Sequence, residues 1–147
     1  MDLEATASKR TPEVEGRFAR EHLDSDHLGV SYWRYAPGFR WPVAHSHREQ
    51  QEAYIVTGGS GKVLLDGEVR PLRRWDVLRV SPQTVRAFQG GDDGLELIAV
   101  GSDRPEGGDG QVAEAAWAQE VGGGQRDLDV RFCPQPPYGG LRPANIG

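Results

Sequence analysis

Two histidines one residue apart, His45 and His47, with a carboxylate five positions on at Glu52, are the residues of this chain best placed to do chemistry. In an extended strand alternate side chains face the same way, so the two imidazoles project into one space. Glu52 opens the next strand-like run and shares its face with Tyr54 and Val56, while Gln51, Ala53, Ile55 and Thr57 take the other face. If the first face points where the histidines point, two imidazoles and a carboxylate converge. Such a set can hold a divalent ion and leave coordination positions open, as non-haem iron sites and catalytic zinc sites require. Glu49 has the opposite parity and reads as a solvated charge. His22 and His27 lie in a polar stretch among Glu21, Asp24 and Asp26, and read as surface residues.

The elements that must position this set are short strands. Residues 1–13 are charged, carry Pro12 and read as a flexible leader, with a weak strand expected from Val14 to Arg20. Gly29 to Tyr35 is rich in β-branched and aromatic residues and closes at Ala36-Pro37-Gly38, a turn; Trp33 and Tyr35 share a face suited to core packing. Phe39 to His47 carries Pro42 and reads as an irregular edge segment. Gln51 to Thr57 and Lys62 to Leu65 flank Gly58-Gly59-Ser60-Gly61, expected to be a tight hairpin turn. Asp66-Gly67 is a second such turn, with Glu68 to Leu72 returning and Asp76 to Val80 following. Thr84 to Gln89 and Leu95 to Val100 form a further expected hairpin around Gly90 to Gly94. Strands at this spacing predict an antiparallel sandwich or barrel.

The barrel is expected over residues 14–102, followed by a Gly/Pro-rich extension over 103–147. Within that extension, Gln111 to Glu120 reads as a short strand or a helical stretch around Trp117, and Gln125 to Gly147 cannot build a core. With 22 acidic residues against 17 basic ones and no basic cluster, the chain is not expected to bind nucleic acid. The lone cysteine, Cys133, excludes an internal disulfide and a Cys-rich zinc site. No apolar run approaches a membrane span, and the amino terminus has no apolar signal region, so a cytoplasmic location is expected.

The order Gly38, His45-Ser46-His47, Glu52 and Gly59 resembles the first signature of the cupin superfamily, with six residues between Gly38 and His45 where five are usual. The second signature is represented by Trp75-Asp76 in place of Gly-Asp, by Pro82, and by Thr84 in place of a glycine. Arg86 stands where that signature has a histidine. The resemblance covers residues 28–102. It implies an all-β, cupin-type jelly-roll antiparallel β-barrel, often a homodimer, with His45, His47 and Glu52 as metal ligands. By parity Arg86 shares a face with Thr84 and Phe88, and the resemblance turns that face inward.

Two outcomes follow. In one, a divalent ion (Fe, Mn, Zn or Ni) sits on His45, His47 and Glu52, as in a metal-dependent oxygenase- or isomerase-type cupin. Arg86, Tyr54 and Phe88 then contact a small-molecule ligand. In the other, Arg86 pairs with Glu52 in place of the ion, since a guanidinium stays protonated and cannot ligate a metal. The protein is then a metal-free, non-catalytic binding or sensing module. Trp41 and Trp75 are expected at the pocket rim or at a dimer contact.

Overall fold

The computed structural model describes residues 2, 3, 6, 8–117 and 130–132. Among them ten strands form one antiparallel sheet curled into a barrel. They are β1 (Ser8–Arg10), β2 (Val14–Phe18), β3 (Gly29–Tyr35), β4 (Val43–His47), β5 (Glu52–Leu65), β6 (Glu68–Arg73), β7 (Val77–Val80), β8 (Arg86–Gly101), β9 (Gly110–Glu114) and β10 (Val130–Phe132). A short 3-10 helical turn, Arg20–His22, leads from β2 towards β3. Among the described residues no helix is long and apolar enough to cross a membrane.

β5 and β8 are the spine. They pair along almost their full lengths, from Glu52 opposite Gly101 to Leu65 opposite Arg86. β3 flanks β8 on its other side, from Gly29 opposite Gly101 to Tyr35 opposite Leu95. β7 and β6 pair with the two ends of β5. β1, inside the segment read as a leader, pairs with β2. β9, within the stretch read as strand or helix, is a strand, and it runs the length of β4 from Val43 opposite Glu114 to His47 opposite Gly110.

Two expected hairpins do not form. The glycine runs at 58–61 and 90–94 lie inside β5 and β8, each of which continues straight through. The register between these strands shifts twice, between Val56 and Gly58 and between Gly59 and Gly61. Glycine in a strand marks bulges and close backbone approach as readily as turns. Here approach decides: a Cβ on Gly59, whose φ is +65°, would lie 2.1 Å from the Gly94 carbonyl oxygen. The Asp66-Gly67 hairpin does form. Both residues have positive φ, 47° and 87°, as a tight turn between twisted strands requires.

The barrel interior is filled by inward residues of the spine and its neighbours. Val56, Leu65, Leu78, Val80, Leu95 and Leu97 are fully buried, and burying each such side chain contributes about 1.5–3 kcal/mol. Tyr35 and Tyr54 pack on Phe88, with ring centroids 6.0 and 4.8 Å away. Trp33 stacks near Tyr35 and is partly buried against the same core. A second cluster, Ala44, Leu64 and Ala87, receives Ala115 and Trp117 from the segment after β9. Trp117 also donates to the Trp41 carbonyl at 3.0 Å.

The turn between β6 and β7 holds Trp75 at φ 71°, a left-handed conformation that suits glycine. The turn is fixed on both sides: the Trp75 amide donates to the Val56 carbonyl and the Val56 amide to that of Asp76. Arg74 sits over the exposed indole, 4.9 Å from its centroid. The backbone thus keeps a glycine conformation where the sequence has tryptophan. Trp75→Gly is expected to relieve this strain and raise stability by about 1 kcal/mol. Trp75→Val, β-branched and less tolerant of positive φ, is expected to lower it. Chemical denaturation of the two variants checks both signs.

Candidate functional site

β4 meets β8 at a single register pair, His45 opposite Arg86. That pairing brings the histidine strand over the end of the spine, where Glu52 begins β5. Side-chain alternation then does what the sequence predicts: His45, His47 and Glu52 each turn one ligand-capable atom to a common point, all within 4.8 Å of one another. Nε2 of His47 lies 3.5 Å from Glu52 Oε2, and Nε2 of His45 lies 3.7 Å from it. The rings meet edge to face with centroids 5.4 Å apart.

The same oxygen of Glu52 accepts from Arg86 Nη2 at 2.5 Å and from the Tyr54 hydroxyl. Arg86 is fully buried. Its remaining donors reach the Pro82 carbonyl at 3.1 Å, the Thr84 carbonyl at 2.9 Å and the Tyr54 oxygen at 3.3 Å. The guanidinium therefore stands behind the carboxylate, bound on every side. Burial opposes the charge on Glu52, but His45, His47 and Arg86 outweigh it and hold the carboxyl well below the usual range. Burial, reinforced by that carboxylate, pushes the Tyr54 phenol up, so it stays a neutral donor. Burial lowers His45, which favours the neutral imidazole a metal requires.

His47 is oriented by a residue that sequence reasoning missed. Asp109, buried just before β9, accepts from His47 Nδ1 at 2.8 Å. Its other oxygen accepts from the amides of Glu49 and Gln50 at 2.9 and 2.8 Å. With Nδ1 donating to Asp109, Nε2 is the ring atom turned towards Glu52 and His45. Among the described residues this buried Nε2 has no hydrogen-bond partner. A carboxylate–histidine pair aimed this way is the outer support that metal-ligating histidines ordinarily have. The donor set therefore fits a divalent ion. No sequence signal marks Asp109, which is 62 residues from His47; only the pairing of β9 with β4 brings it there.

A cavity of about 590 Å³ opens over these groups. Tyr54 and Phe88 line it, as do Trp33, Tyr35 and Trp41. So do Arg20, Gln50 and Arg104, none of which the sequence reading singled out. Trp41 is thus at the pocket, whereas Trp75 lies exposed elsewhere. Glu49 and His22 are exposed, and His27 forms an exposed pair with Asp103 at 3.0 Å.

Asp109→Ala removes the acceptor for two backbone amides and for His47. Stability is expected to fall by about 1–3 kcal/mol. The effect depends on acid: burial opposes the charge on Asp109, but bonds from Gln50, Glu49 and His47 lower its pKa to about 2, from 3.8 when unperturbed. A depressed carboxyl contributes stability above its unfolded pKa and loses it as pH falls through the folded one. The gap between wild type and Asp109→Ala should therefore be constant above pH 4 and narrow between about 4 and 2 in denaturation experiments.

No family profile matches the sequence, and no curated protein does. Solved structures do match. A variant of oxalate decarboxylase from Bacillus subtilis superposes with a TM-score of 0.65 at 20% identity, over 76% of this chain and 31% of that one. The same enzyme at pH 4.6 gives 0.64 at 18%, over 78% and 31%. The structure of KdgF from a Halomonas species gives 0.60 at 17%, over 72% of this chain and 94% of that one. The chain thus spans under a third of the oxalate decarboxylase chains and nearly all of KdgF. With the curled antiparallel sheet and the inward His45, His47 and Glu52, these likenesses establish that the chain has the cupin fold.

Proposed function

We propose that this protein binds a small molecule in the barrel mouth, beside a divalent ion held by His45, His47 and Glu52. The observation that carries the reading is the buried Nε2 of His47, without a partner among the described residues and locked by Asp109 into facing the other two groups. An orphaned buried nitrogen is costly unless something ligates it. The ion would supply Lewis-acid polarisation of an oxygen on the bound molecule. The chain's own groups do the rest. His45 is kept neutral, and Glu52 ionised. Arg86 and Tyr54 fix the carboxylate from behind, and Tyr35, Trp41 and Phe88 give the cavity apolar walls that limit water.

In this reading Arg86 acts on Glu52, because its donors are already committed to Glu52, Tyr54 and two carbonyls. It is a standing positive charge against an incoming cation, and it sets metal affinity below that of a site with a third imidazole. A specific observation favours a second reading, in which no ion binds and the barrel is a ligand-binding module. The 2.5 Å contact of Arg86 with Glu52 already supplies the charge balance that an ion would.

The two readings separate in a thermal-shift assay on protein purified without chelator or nickel resin. The metal reading predicts a higher melting temperature on adding at least one of Fe(II), Mn(II), Zn(II) or Ni(II), and loss of that gain in His47→Ala. Arg86→His, which exchanges a cation for an imidazole, is expected to melt lower without metal and to gain more from it. Removing one partner of a buried ion pair costs about 3–5 kcal/mol. No shift with any ion in wild type or in Arg86→His would leave the metal-free module.

A further inference from the structure

The chain is acidic overall, at −5, yet its cavity mouth carries two guanidinium groups that the ligand set does not use, Arg20 and Arg104. Arg20 reaches in from the 3-10 turn and lies over the facing glycines Gly29 and Gly101, which pair across β3 and β8. A Cβ on Gly29 would lie 2.3 Å from Arg20 Nε, so the bare glycine backbone is what seats the guanidinium. Nη2 donates to the carbonyls of Gly101 at 3.3 Å and Ser102 at 2.7 Å. Nη2 is thus anchored, and among the described residues Nε and Nη1 have no hydrogen-bond partner.

Arg104 is exposed at the same mouth and has no hydrogen bond or ion pair among the described residues. Burial lowers the pKa of Arg20 and the charge of Arg104 lowers it further, while Asp103, Glu52 and Asp109 act against them. The neighbouring acids are committed elsewhere. Glu52 is held by Arg86 and Tyr54, Asp109 by His47 and two amides, and Asp103 by His27. Glu21 lines the mouth but is exposed on the Arg20 turn. Two like charges on one cavity, with the nearest acids bonded to other groups, favour an anion from outside. The same cavity has an aromatic lining in Trp33, Trp41 and the half-exposed Phe18.

We propose that the cavity takes a small carboxylic acid with a flat apolar body, its carboxylate on Arg20 and Arg104 and its body along Trp33 and Trp41 towards His45. The inference rests on reading the cavity as a small-molecule site, but not on the ion. A guanidinium anchored through Nη2 has its plane fixed, and its free Nη1 can give a charge-assisted bond to one carboxylate oxygen while Arg104 meets the other.

Titration calorimetry on the full chain with phenylacetate and its neutral amide, phenylacetamide, tests it. The acid should bind about tenfold more tightly than the amide. Arg104→Gln, at an exposed position where folding is undisturbed, should weaken the acid about tenfold and leave the amide unchanged. Gly29→Ala, which displaces the Arg20 guanidinium from its seat, should do the same, with melting temperature as the folding control. Equal affinity for acid and amide, no binding of either, or an acid affinity unchanged in both variants would overturn the proposal. Acid binding in a protein that takes up no metal counts against the ion alone. Metal uptake without acid binding counts against this inference alone.

Discussion

The structure is organised around one buried negative charge. Glu52 sits at the start of the central strand with its carboxylate turned into the barrel, where an isolated charge would neutralise itself or destabilise the fold. Arg86 and Tyr54 meet it from behind and two imidazoles face it from the front. The carboxylate therefore stays ionised although most of it is removed from water. A negative oxygen facing two imidazoles is an attractive seat for a cation. The same oxygen bound by a guanidinium is already partly satisfied. The affinity of the site for a metal is the difference between these two effects.

The sheet topology exists in a form that makes this meeting possible. Arg86 opens β8 opposite both Leu65 of β5 and His45 of β4, so one residue ties the end of the spine to the histidine strand. β9 covers the outer edge of β4, and the bend leading into it delivers Asp109 to the far side of His47. The ring is thereby held between a structural carboxylate and a functional one. Glycines at 58, 59 and 61 let the β5 backbone approach β8 closely without breaking either strand, which keeps Glu52 and Arg86 on one continuous ladder.

Most of the site was legible because it depends on parity. His-x-His and Glu52 with Tyr54 are local alternations, and alternation survives folding as long as the segments are strands. The inward direction of Arg86 followed in the same way once the resemblance turned its face to the pocket. The glycine runs were misread because a turn and a bulge draw on the same residue, and only the opposing strand decides between them. Asp109 was illegible for a different reason. Its role arises from a strand pairing 62 residues away in sequence, and the stretch after it, read as strand or helix, does not say which strand it would join. Arg20 escaped notice because the seat that holds it is made of two glycines on neighbouring strands, a feature of register and not of composition.

In the proposed site two imidazoles face the Glu52 carboxylate and with it seat an ion while Arg86 remains in place. A crystal structure of protein grown with Mn(II), with diffraction recorded for anomalous signal, bears on it most directly. One peak is expected at about 2.0–2.3 Å from Nε2 of His45, Nε2 of His47 and an oxygen of Glu52, with the guanidinium still bonded to that carboxylate. A barrel without a peak, in which both imidazoles have found hydrogen-bond partners within the protein, would contradict it.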